Sequence, residues 1–132
     1  MNTKLLMAIS AVVMGMAGVA LSFLPQEVAG SLGMSEAAAI ILQVLGALYF
    51  GFAMINWTAK ANLIGGIYSR PVAVGNLSHF VVGALALAKL AFKDTSLNYL
   101  WIAALVYAAF AILFAYVFFT TPNLKSKYNQ ST

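Results

Sequence analysis

Cysteine is absent from this 132-residue chain. Its absence excludes disulfides, iron–sulfur clusters, thiolate zinc sites and any dithiol redox relay. Charge is nearly as scarce: 8% of residues are charged, seven of them basic and three acidic. Soluble domains carry roughly 25% charged residues. At 63% hydrophobic residues and a mean hydropathy of +0.93, the composition argues against a water-soluble fold. A single histidine cannot hold a haem between two histidines of one chain, and no set of residues has metal-ligand spacing. Glu36, at the edge of an apolar run, is the nearest a carboxylate comes to a span. That argues against a proton-coupled exporter built on a membrane carboxylate. No nucleophile–base pair or phosphate-binding glycine loop stands out, and Gly65-Gly66 reads as a turn.

What the sequence does hold is four apolar runs. They predict an all-α, four-helix transmembrane bundle of up-down topology, with helices over about 4–24, 36–59, 71–92 and 97–120 and a polar tail over 121–132. The whole of 1–132 is then one transmembrane domain, with no room for a second. The first run follows Lys4, as a secretory leader would. At about 20 residues it is long enough to cross ~30 Å of hydrocarbon, so a membrane helix is expected there.

Between the spans, Pro25 to Ser35 (PQEVAGSLGMS) is a predicted turn region. Ser35 is the expected cap of the second helix, with Glu36 at the positive end of its dipole. Pro71 suits the first turn of the third helix, and Thr95 or Ser96 is the expected cap of the fourth. Ala8, Ala11, Gly15, Gly18 and Ser22 recur at helical spacing in the first span, and Ala104, Ala108, Ala111 and Ala115 in the fourth. Such faces let helices approach closely, and the two stripes are candidates to meet each other.

Five of the seven basic residues, Lys4, Lys60, Arg70, Lys125 and Lys127, fall on one side of this topology, against Lys89 and Lys93 on the other. The asymmetry predicts both termini and the middle hairpin in the cytoplasm, hence a multi-pass protein of a bacterial inner membrane. Most of the positive charge is then a topology signal and a headgroup contact, and no nucleic-acid partner is implied. Trp57, Tyr68 and Tyr116 are expected near the inner interface, Tyr99 and Trp101 near the outer one.

On the second span Gln43, Gly46, Tyr49, Ala53, Asn56 and Lys60 step by three and four. On the third, Asn76, His79, Gly83 and Ala86 do the same. With antiparallel neighbours, Asn56, Lys60, Arg70, Asn76 and His79 are expected at one depth, in the cytoplasmic half. Polar groups there either line a wet pocket or hydrogen-bond between helices as structural glue. The candidate ligand-binding set is therefore Gln43, Tyr49, Asn56, Lys60, Arg70, Asn76 and His79. His79 is the candidate for proton relay, because its charge changes near neutral pH.

The four-span layout, the segment LGALYFGFAMINW and the opening RPVAVGNLSHF resemble the small bacterial DoxX-like four-helix membrane proteins. The resemblance covers the whole chain and implies the fold. Some members of that group are associated with quinone-linked oxidoreductase complexes; the resemblance carries over no catalytic residue, and without cysteine the chain supplies no thiol redox centre.

The leading expectation is a non-enzymatic accessory subunit or small binding module for a lipid- or quinone-like molecule or a partner membrane protein, with no cofactor. Two alternatives come from other classes. One is a membrane oxidoreductase subunit or lipid/quinone-modifying enzyme with His79 as acid–base and Arg70 or Lys60 holding an anion. The other is a small transporter or channel working as a homo-oligomer.

Overall fold

A computed structural model describes residues 2–61, 69–93, 96 and 98–120. The Gly65-Gly66 turn, Tyr68, the Thr95 cap, and the tail with Lys125 and Lys127 lie outside the described residues. The elements are α1 (Thr3–Phe23), α2 (Pro25–Ser31), α3 (Ala38–Ala59), α4 (Arg70–Lys93) and α5 (Asn98–Phe119), and no described residue is in a strand. All four long helices are long and apolar enough to cross a membrane. Their side chains agree: Phe23, Ile40 and Phe119 are 77%, 70% and 78% exposed, which suits hydrocarbon rather than water. The chain is all-α and a polytopic membrane protein. It divides into two compact units, Met1–Asn62 and Leu63–Thr132, each built on a helical hairpin.

In the first unit, α1 starts on Asn2, whose Oδ1 accepts the Leu5 amide at 3.2 Å, satisfying one of the free donors of the first turn. The small face of α1 is met by α3. A Cβ added to Gly18 would lie 2.7 Å from the Phe50 amide nitrogen and 3.0 Å from the Gly46 carbonyl oxygen. One added to Gly46 would lie 2.7 Å from the Ser22 nitrogen and 2.9 Å from the Gly18 oxygen. The two backbones are therefore in direct contact, an approach that only glycine allows at both positions. Gly15 sits against Ala53 on the same seam. Matching Ser22 with Gly46 and Gly15 with Ala53 shows that α1 and α3 run antiparallel.

The segment after α1 departs from expectation. In place of a plain turn, Pro25–Ser31 winds into α2, with Pro25 in its first turn and Glu27 at its positive end. Pro25 and Ala29 are buried, and this packing holds a helix too short to persist alone. It stops at a Schellman motif: Gly33 adopts φ +65, its amide donates to Gly30 at 3.1 Å, and the Met34 amide donates to Ala29 at 2.8 Å. The expected Ser35 side-chain cap is also corrected. The residue ahead of α3 is Ala37, which makes no side-chain cap bond. Instead the Ser35 and Glu36 carbonyls accept from Ala38 and Ala39 at 2.9 and 3.0 Å, so a backbone turn leads into the helix, which begins at 38 rather than 36.

The second unit is packed by rings. Phe80 of α4, 1% exposed, stacks on Phe110 of α5 at 4.8 Å and on Phe114 at 5.6 Å, and meets Tyr107 edge-on at 5.3 Å. Gly83, one turn on, has no side chain, and the Tyr107 ring occupies that space. Near the other end Phe92 meets Trp101 edge-on at 4.8 Å, so α4 and α5 are antiparallel too. Ala104 and Ala111 of the fourth-span stripe are buried.

Gly46→Val is expected to lower the unfolding free energy in detergent by about 1–3 kcal/mol through overpacking. Gly51, whose Cβ position meets open space, provides the control: Gly51→Ala is expected to be neutral or stabilising by up to about 1 kcal/mol. Thermal melts followed by helical circular dichroism compare the two, and equal losses would mean that α1 and α3 do not touch at Gly46.

Candidate functional site

The polar stripe of α3 forms the seam with α1. Toward the C-terminal end of α3 Asn56, fully buried, donates from Nδ2 to Ser10 Oγ at 3.1 Å and approaches Met14 Sδ at 3.7 Å. The Ser10 hydroxyl donates onward to the Met7 carbonyl at 3.0 Å. This relay joins the two helices and accounts for Ser10 at 0% exposure; a polar side chain in an apolar span is stable when its hydrogen bonds are made. At the other end of the seam Gln43 donates from Nε2 to the Ser22 carbonyl at 3.3 Å. Gly46 and Ala53 occupy the intervening positions. Tyr49, also on this stripe, is half-buried. The spacing read from the sequence is real, and its face is turned to a neighbouring helix.

Lys60 ends the stripe. Its amide caps α3 by donating to the Asn56 carbonyl at 3.1 Å, and its Nζ stands 2.8 Å from the centre of the Trp57 ring. The negative end of the helix dipole and the negative face of the indole both favour an ammonium there.

The remaining expected residues belong to the second unit. Arg70 opens α4 and is exposed. Asn76 is fully buried and donates from Nδ2 to the Val72 carbonyl of its own helix at 2.9 Å. His79 is half-buried, with Phe80 edge-on at 5.1 Å and Tyr107 at 5.5 Å. The set thus falls in two groups: Gln43, Tyr49, Asn56 and Lys60 with the first hairpin, Arg70, Asn76 and His79 with the second. Among the described residues no group of three or more His, Asp or Glu side chains could hold a metal ion.

Three contributors escaped the sequence reading: Ser10, Met14 and Tyr107. Ser10 had a signal. It and Ser22 are the only hydroxyl side chains in α1 after Thr3, and each lies level with an amide side chain of α3. Tyr107 had none, because nothing in the spacing says which ring covers Gly83. No family model, curated protein or solved structure matches this chain.

The seam reading gives Asn56 and Ser10 a measurable coupling. A double-mutant cycle of Asn56→Ala and Ser10→Ala, read by unfolding in detergent, is expected to return about 0.6 kcal/mol, within an upper range near 1.7. A coupling indistinguishable from zero would mean that the bond adds nothing to the hairpin.

Proposed function

We propose that this chain is a non-catalytic, multi-pass subunit of a bacterial inner membrane, with both termini cytoplasmic, that holds a small hydrophobic or amphipathic molecule of lipid or quinone type. The observation that carries this reading is the setting of His79, half-buried with the rings of Phe80 at 5.1 Å and Tyr107 at 5.5 Å. Asn56 and Gln43 bond to α1, Asn76 bonds within α4, and Lys60 lies on Trp57. An imidazole among rings suits an apolar or aromatic ligand with one hydrogen-bonding group, since such sites are mostly apolar with few polar contacts. The resemblance to DoxX-like proteins supports the same class, and the basic-residue asymmetry supports the orientation.

An enzymatic alternative uses the same histidine as acid–base, so one experiment separates the two. Native mass spectrometry of the detergent-purified chain, with extraction of whatever is bound, is expected to show a stoichiometric apolar molecule. His79→Ala is expected to keep the fold and to weaken retention of that molecule. Bare chain in both proteins would overturn the binding reading. A bound molecule that the wild type converts chemically, and His79→Gln leaves unchanged, would favour the enzyme.

A further inference from the structure

The first hairpin carries opposite charge at its two ends. Glu27 and Glu36 lie where α1 stops and α3 begins, whereas Lys4 lies at the start of α1 and Lys60 at the end of α3. The Asn56–Ser10 bond fixes the level of the basic end. Lys60 is one turn beyond Asn56 and Lys4 less than two turns before Ser10, about 6 and 9 Å along the axis at the helical rise. No carboxylate belonging to described residues of this hairpin lies at that end.

Helix energetics explains only one of the two lysines. Lys60 meets the negative end of α3. Lys4 stands in the first turn of α1, where no acidic residue offsets it and a cation opposes the dipole. Its place there agrees with the topology signal, and it leaves an ammonium at the membrane boundary. Trp57 supplies the second part: it is 48% exposed in the last turn of a span, where an indole sits at headgroup depth. The Lys60 ammonium rests on that ring at 2.8 Å, which sets the cation beside the indole.

We propose that the Lys4–Trp57–Lys60 end of the first hairpin binds the phosphate of an anionic phospholipid. The ammonium groups of Lys4 and Lys60 donate to phosphate oxygens, and the Trp57 ring lies against the glycerol and upper acyl chain. Charge complementarity selects this occupant: two cations without a carboxylate of their own, at the depth where lipid phosphates lie. The inference rests on the membrane-spanning hairpin and is independent of the ligand assigned to His79.

The test uses the full chain with Trp101→Phe, so that tryptophan emission reports Trp57. The protein is reconstituted into mixed phosphatidylcholine–phosphatidylglycerol vesicles in which one or the other lipid carries brominated acyl chains at equal mole fraction. Brominated phosphatidylglycerol is expected to quench Trp57 more strongly, to an extent giving about 30-fold enrichment, the factor equivalent to ~2 kcal/mol for two basic side chains at ~1 kcal/mol each at an anionic surface. The preference is expected to fall to parity in Lys4→Gln/Lys60→Gln and to return in Lys4→Arg/Lys60→Arg, with helical dichroism confirming that each variant is folded. Equal quenching by the two lipids in the parent, or a preference that survives the glutamine pair, would overturn the proposal. If inorganic phosphate added to neutral vesicles shifts Trp57 emission as much as phosphatidylglycerol does, the site takes a soluble anion and the lipid assignment is wrong.

Discussion

The contact between the backbones of α1 and α3 at Gly18 and Gly46 is the constraint on which the first hairpin depends. In a membrane, burial of apolar side chains gives no general push for helices to associate, because lipid tails are as apolar as leucine. Association has to come from close dispersion contact and from polar groups that need partners. The glycine contact supplies the first, since a Cβ at either position would collide with the other backbone. By bringing the helices that near, it also lets short side chains reach across. Asn56 meets the Ser10 hydroxyl and Gln43 meets the Ser22 carbonyl only because no large residue separates the axes. Dispersion and hydrogen bonding are therefore coupled through geometry.

The second hairpin solves the same problem with rings. Phe80 is sandwiched against Phe110 and Phe114, and Tyr107 lies over Gly83. Aromatic pairs at these separations add about 0.5–1.5 kcal/mol each beyond area burial, which offsets the lack of a glycine seam. The amide side chains of the first hairpin hold its helices together, and in the second His79 stands beside the rings of Phe80 and Tyr107.

Much of this was legible in the sequence. Hydropathy located all four spans, because about 20 apolar residues between polar breaks have few other uses, and their observed ends differ by one or two residues. The small-residue face of α1 and the three-and-four stepping of Gln43, Gly46, Ala53 and Asn56 were also visible. So was their reading as a packing seam and as hydrogen-bonding glue between helices; the partner was not. Periodicity shows that residues share a face, but pairing that face with a partner needs the register between helices, which one glycine contact sets. The helix α2 was hidden for a related reason: Pro25, Gly30 and Gly33 are equally good turn residues, and the burial of Pro25 and Ala29 decides for a helix. The candidate residues were legible one by one, and the neighbours each meets within its own hairpin were not. Asn56 and His79 both read as polar groups inside spans, and the side chains that distinguish them, Ser10 and Tyr107, lie far away in sequence.

The antiparallel α1–α3 seam can be tested without removing any native thiol, since the chain has no cysteine. A Cβ at Gly15 would lie 3.6 Å from the Cβ of Ala53, within the separation of about 3.5–4.5 Å that a disulfide spans. Gly15→Cys/Ala53→Cys, oxidised in native membranes, is expected to form an intramolecular disulfide, seen as a monomer lighter by two hydrogens in intact mass. The same treatment of Gly15→Cys/Gly51→Cys is expected to leave both thiols free. A Gly15→Cys/Ala53→Cys pair that stays reduced, or that links one chain to another, would contradict the seam.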